Sequence, residues 1–168
     1  MSYHGGAIGC IITIIICAKL YKKDVFSLLD LMAIGSTFGV FFGRIGNFIN
    51  GELYGRVTTS WVGMIFPNGG PDPRHPSQLY EAFFEGFVAF IILWGLLKKF
   101  NLKPGYLFSV NCLLYGGFRF LLEQFREPDA HLGFVIGHLT MGQCLSILAI
   151  TIGLSVSHYL YHHRYKNT

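Results

Sequence analysis

Residues 43–56 read GRIGNFINGELYGR. The stretch closes a long apolar run, yet its fourteen positions hold two arginines, two asparagines, a glutamate and four glycines. Hydrogen-bonding groups at such density make sense only if the run before them has a place to stop. The rest of the chain says what that place is. Of its 168 residues 52% are hydrophobic and only 13% charged, against about 25% charged in an ordinary soluble domain. Mean hydropathy is +0.46. A soluble core of this size cannot hide so much apolar surface, so the solvent is lipid.

A spanning helix needs about 20 mostly apolar residues to cross ~30 Å of hydrocarbon. Five stretches qualify, at 4–20, 25–47, 79–97, 105–123 and 139–160. The predicted fold is therefore all-α, a polytopic membrane helix bundle of five transmembrane helices in one membrane domain over 1–168. No internal repeat, low-complexity tract or secretory signal peptide is visible. GRIGNFINGELYGR falls where the second helix leaves the bilayer.

Charge orients the bundle. Lys19, Lys22 and Lys23 follow the first span, Lys98, Lys99 and Lys103 link the third and fourth, and Arg164 and Lys166 follow the fifth. Alternating passes put all three groups on one side, which the positive-inside rule makes cytoplasmic. The C-terminus is expected there. Five of the six arginines, Arg44, Arg56, Arg74, Arg119 and Arg126, fall at the opposite face. Lysine is a hydrated anchor, whereas arginine offers a planar fork for phosphate or carboxylate. Dispersed basic residues exclude a nucleic-acid partner. Cys10, Cys17, Cys112 and Cys144 lack CxxC spacing, and they read as apolar fillers rather than metal ligands. No metal or other cofactor is predicted.

The outer arginines differ in setting. Arg56 and Arg74 could simply snorkel to headgroups. Arg44 ends the second span with Asn47 three positions on, sharing its face if the helix continues. A glycine-packed helix end is the bland account of Gly43, Gly46, Gly51 and Gly55. Arg119 lies ~21 Å into the fourth span, where an arginine costs at least ~2.5–3.5 kcal/mol on insertion scales. Tyr115, Arg119, Glu123 and Arg126 form one helical stripe. An Arg119–Glu123 ion pair could lock the bundle, but one carboxylate cannot satisfy two arginine forks, and spare donors suit an anion. Glu52 is placed to orient an arginine or take a proton. His4, at the outer start of the first span, reads as an interfacial anchor. Ser77 is expected to cap the third helix, with Glu81 and the deeper Glu85 following it. Gln78 has no evident task. Together these residues predict a polar pocket near the outer leaflet for an anionic phosphate that lipid can reach sideways.

Five ordered blocks carry a resemblance: HGG at 4–6, GRIGNFINGELYGR at 43–56, RHPSQLYE at 74–81, YGGFRFLLEQFREPD at 115–129 and MGQCLSI at 141–147. The chain resembles the bacterial prolipoprotein diacylglyceryl transferases over nearly its whole length. The resemblance implies a multi-pass inner-membrane enzyme whose active site faces the periplasm. Its partners would be phosphatidylglycerol and the lipobox cysteine of a prolipoprotein signal peptide. The thiol would receive the diacylglyceryl group and glycerol phosphate would leave. It also implies that Arg44 and Arg119 are the family's essential arginines and His4 its important histidine. Asn47, Glu52, Gly55 and Glu123 match further functional positions. Family members carry membrane segments upstream of HGG, so the chain is expected to be the C-terminal portion of such an enzyme. In the expected mechanism Arg44 and Arg119 hold the phosphate, Asn47 donates to it, His4 is the base and Glu123 orients Arg119; Tyr115 and Arg126 line the site. The alternative is a non-catalytic anionic-lipid-binding or transport protein.

Overall fold

A computed structural model describes residues 3–127, 134–136 and 139–165, with side chains over 9–127 and 139–163. Helix α1 covers Tyr3–Leu20 and α2 Val25–Ile49. Helix α3 runs Ser77–Lys99, with a π-helical stretch at Ala82–Val88. Helix α4 covers Tyr106–Leu122 and α5 Met141–Leu160, prolonged by a π turn at Tyr161–Tyr165. Two short strands, β1 (Phe134–Ile136) and β2 (Leu139–Thr140), pair antiparallel just before α5.

The distribution of side chains is that of a membrane protein. Leu31, Phe38, Phe42 and Ile49 of α2 face outward, as do Ile11, Ile12, Ile15, Ile16 and Leu20 of α1. The fully buried side chains include Thr37, Ser77, Gln78, Glu81, Glu85, Ser109 and Ser146. In lipid no hydrophobic force drives helices together, so small and polar residues take the interface. Ser109 Oγ donates to the Gly153 carbonyl at 2.8 Å and lies 2.9 Å from Ser157 Oγ, joining α4 to α5. Gly116 and Gly153 meet the opposite backbone so closely that neither has room for a Cβ.

Three helices, Val25–Ile49, Ser77–Lys99 and Met141–His163, are long and apolar enough to cross a membrane. The described part of α1 and the whole of α4 are shorter apolar helices. Helix α4 covers 17 residues, or ~26 Å at 1.5 Å per residue, because it stops where Glu123 turns back onto Arg119. Other boundaries also move from those predicted. Helix α2 continues to Ile49, which makes Asn47 helical. Helix α5 begins at Met141 rather than 139, because Thr140 is its N-cap in a reciprocal capping box with Gln143.

The helix ends sort into two groups. At the end bearing the lysines, Gly105 stands at the N-cap of α4 with φ +97 and no side chain to cap with. Asp30 of α2 supplies the cap instead, accepting from the amides of Gly105 and Phe108 at 2.8 Å each. A Cβ at Gly105 would meet Phe26 and Leu160, so α2, α4 and α5 converge there. At the other end, residues 50–76 form an irregular cover. Its bridges pair Gly55 with Arg126, Val57 with Arg74 and Met64 with Arg74. The ends of α2, α3 and α4 that carry Arg44, Glu81 and Arg119 meet at this end.

Candidate functional site

Helix α3 starts without a side-chain cap. Pro76 takes the N-cap position and Ser77 is already helical, so the predicted capping role of Ser77 gives way to another. Its hydroxyl donates to the Leu53 carbonyl at 3.2 Å. The next residue, Gln78, donates from Nε2 to the Glu52 carbonyl at 2.6 Å. These two bonds hold the turn after α2 against the start of α3. That docking brings Glu81, one turn into α3, beneath the last turns of α2 and α4.

Glu81 is the centre of the site. Its Oε2 lies 2.7 Å from Arg44 Nε and its Oε1 2.9 Å from Arg119 Nη1. Arg126 Nη1 stands 3.8 Å from the same Oε1. The Glu81 side chain is 1% exposed. One buried carboxylate thus gathers cations from α2, α4 and the turn after α4. The other end of the Arg119 fork reaches Glu123 Oε2 at 2.8 Å. Glu123 in turn accepts from Thr140 Oγ1 at 2.8 Å, the hydroxyl that caps α5. A Cβ at residue 142 would lie 2.5 Å from Glu123 Oε1, so Gly142 is what lets the carboxylate approach. Helices α2, α3, α4 and α5 therefore meet through a single chain of charged and polar groups.

The predicted site residues divide on this map. Arg44, Arg119, Glu123 and Arg126 come together around Glu81. Arg44 commits Nε, and its two terminal nitrogens have no protein partner among the described residues. Tyr115 lies one turn before Arg119 on α4, half-buried. Asn47 is half-buried on α2, one turn beyond Arg44, and its carbonyl accepts from the Glu52 amide at 2.9 Å. Glu52 stands outside this cluster: its side chain is exposed, its carboxylate joins no arginine among the described residues, and its carbonyl accepts from Gln78 Nε2. His4 is the second residue of α1, and its side chain lies outside the described residues.

Gly55 is held by close backbone contacts. It is buried under the cover, where its amide donates to the His75 carbonyl at 2.8 Å. A Cβ there would meet the carbonyls of Phe125 and His75, the latter at 2.7 Å. Both obstacles are backbone, so Gly55→Ala is expected to destabilise the chain by roughly 1–3 kcal/mol through forced displacement. Protease sensitivity of the 50–76 segment in detergent would report it, and a variant as resistant as the parent would refute it. Arg56 and Arg74 serve this cover rather than headgroups. Arg56 Nε donates to the Arg126 carbonyl at 2.9 Å. Arg74 donates to the carbonyls of Gly69 and Gly55, pairs with Glu127 and sits over the Tyr54 ring.

The ordered motifs and this geometry meet in one comparison. The sequence profile of the prolipoprotein diacylglyceryl transferase family matches residues 1–159. The chain belongs to that family. It is 52% identical over 157 residues to the phosphatidylglycerol–prolipoprotein diacylglyceryl transferase of Chlorobaculum tepidum, covering 93% of this chain and 54% of that protein. The protein of the same description from Rickettsia africae is 52% identical over 159 residues, covering 91% of this chain and 60% of the relative. That from Desulfotalea psychrophila is 47% identical over 173 residues, covering 100% and 64%. The chain thus spans between half and two thirds of the length of these relatives.

Within this diacylglyceryl transferase fold, sequence reasoning missed the central residue. Glu81 was visible only as an acidic residue early in a helix. The available signal was its spacing: Glu81 and Glu85 are one turn apart, and two carboxyls inside an apolar helix require cations from elsewhere. Gln78, Thr140 and Gly142 carried no such signal. Their work depends on a partner more than fifteen residues away, or on space that a side chain would fill.

Proposed function

We propose that this chain carries the phosphate-binding half of a transfer reaction. A diacylglyceryl group moves from phosphatidylglycerol to the thiol of the lipobox cysteine in a prolipoprotein signal peptide, and glycerol phosphate leaves. One observation carries the reading. Arg44 and Arg119, from different helices, are held by the single buried carboxylate of Glu81, while the two terminal nitrogens of Arg44 have no protein partner among the described residues. The names of the relatives supply the substrate classes.

The thiol sulfur attacks the glycerol carbon that bears the phosphate ester. The C–O bond breaks, its electron pair stays on the phosphate oxygen, and the thiol proton passes to a base. Arginines fixed in a water-poor site stabilise the growing phosphate charge with little reorganisation. Arg44 and Arg119 take that task, with Asn47 as neutral donor and Glu123 as the orienting partner of Arg119. A substrate thiol of pKa about 8.5 needs a base, and His4 is assigned that role because imidazole titrates in the right range. The chemistry uses no nucleophile from the enzyme. The bundle sits in the plasma membrane with this site facing the periplasm and the lysine-bearing end in the cytoplasm, by the positive-inside rule.

The test places the purified chain in phosphatidylglycerol vesicles with a lipobox peptide. Glycerol phosphate release matched by a diacylglyceryl mass gain on the peptide is the expected result. Binding of phosphatidylglycerol without any thiol alkylation would instead mark a lipid-binding or transport protein.

A further inference from the structure

Residues 57–71, VTTSWVGMIFPNGGP, carry no charged side chain and belong to the irregular segment between α2 and α3. Within them Trp61 is 94% exposed and Ile65 68%, and Val57 and Met64 are open as well. A loose loop is not the cause. Met64 and Arg74 exchange backbone hydrogen bonds at 2.9 and 2.8 Å, and the Thr58 amide donates to the Pro73 carbonyl at 2.8 Å. The turn between them closes where the Gly63 amide donates to the Ser60 carbonyl at 2.9 Å. Gly63 is packed so tightly that a Cβ would lie 3.0 Å from side-chain carbons of both Pro73 and Thr58. A fixed backbone that turns large apolar side chains outward is a built surface, and such surfaces mark contact sites.

We propose that this tip, centred on Trp61, is seated in the headgroup–acyl boundary of the leaflet at the arginine-bearing end. Its position beside α2 leads there. Phe66, next to Ile65, turns inward and meets the Phe48 ring edge-on at 6.1 Å between centroids and stacks on Tyr54 at 5.4 Å. Phe48 lies in the last turn of α2, whose final residue, Ile49, is among the outward-facing apolar side chains. Phe66 therefore ties the tip to the level at which α2 leaves the bilayer. The composition fits that depth. Thr58, Thr59, Ser60 and Asn68 bring hydroxyl and amide groups without charge, and tryptophan collects at headgroup level because its apolar ring carries one polar N–H. Full hydrocarbon depth is excluded for an irregular turn, whose free backbone groups need water. Bulk water is the costlier place for its apolar side chains.

Seating the tip attaches the 50–76 segment to the bilayer surface at Trp61 as well as at the end of α2. The same segment is joined to the turn after α4, where Gly55 bridges to Arg126 and Arg74 pairs with Glu127. The lipid surface thus helps to position the cover beside the arginine cluster. This lipid contact is independent of whatever reaction the arginines serve.

The experiment reads tryptophan fluorescence. The chain has two tryptophans, so Trp94→Phe leaves Trp61 as the only indole. The full chain is placed in nanodiscs, which keep both membrane faces open to solutes, with acyl chains brominated either near the headgroup or near the terminal methyl. Bromine near the headgroup is expected to quench Trp61 at least about twofold and more than terminal bromine does, while aqueous iodide has little effect. Trp61→Phe reports Trp94 alone, and its difference from the parent recovers the Trp61 signal should Trp94→Phe fold poorly. Strong iodide quenching without any effect of bromine would put the tip in water and overturn the proposal. Insensitivity to both quenchers would mean that protein covers Trp61, and stronger quenching by terminal bromine would mean a deeper seat; each would overturn it equally.

Discussion

Replacing Arg119 by alanine is expected to lower diacylglyceryl transfer by about 100–1,000-fold, the usual cost of removing one preorganised donor from such a site. The geometry explains why lysine should not rescue it. Arg119 uses the two ends of its fork on two carboxylates, Glu81 at 2.9 Å and Glu123 at 2.8 Å. A lysine ammonium is a point charge on a flexible stem and cannot hold that spacing while also facing a phosphate. Glycerol phosphate release from vesicles checks both variants, with circular dichroism as the control for insertion and folding. Residual activity above a tenth of the parent in Arg119→Ala would remove Arg119 from the transition state. Full activity in Arg119→Lys would reduce its role to charge alone.

The second large effect falls on stability. Glu81→Ala leaves Arg44, Arg119 and Arg126 facing one another without their common carboxylate. Breaking a buried ion pair by removing one partner typically costs 3–5 kcal/mol. Here the loss takes the close carboxylate from Arg44 and from one end of the Arg119 fork, so a destabilisation of about 3 kcal/mol is expected. Glu81→Gln keeps a hydrogen-bond acceptor for one arginine and should fall between that variant and the parent. Unfolding in mixed micelles, followed by loss of helix signal against denaturing detergent, provides the measurement. Equal midpoints for Glu81→Ala and the parent would mean that the arginines are satisfied from elsewhere and that Glu81 is not the hub.

These two residues also separate what was legible from what was not. Arg119 announces itself in one dimension: a guanidinium inside an apolar helix is costly wherever that helix packs. Its partner Glu123 is one turn away on the same helix, so local spacing suffices to pair them. Arg44 is legible for the same reason, as the cation that ends an apolar run. Glu81 is a different case. A carboxylate early in a helix is ordinary, and nothing within one turn of it explains its burial. Its importance arises from Arg44, 37 positions before it, and Arg119, 38 positions after it. Glu52 shows the converse. It stands in the most polar stretch of the chain, yet its side chain is exposed and joins no arginine among the described residues.

By itself the sequence determined the solvent, the helical class, the end of the bundle where lysines collect and the end where arginines do. Those features follow from hydropathy, helix rise and the cost of charge in hydrocarbon, all of which act on a residue and its near neighbours. The tertiary structure decided which carboxyls meet which arginines, where α4 stops and how α5 is capped onto Glu123. It also decided that Gly55, Arg56 and Arg74 build the cover while Glu81 gathers the arginine cluster. Ion pairs and close backbone contacts act over a few ångströms, and only folding brings residues 44, 81, 119 and 140 within that distance.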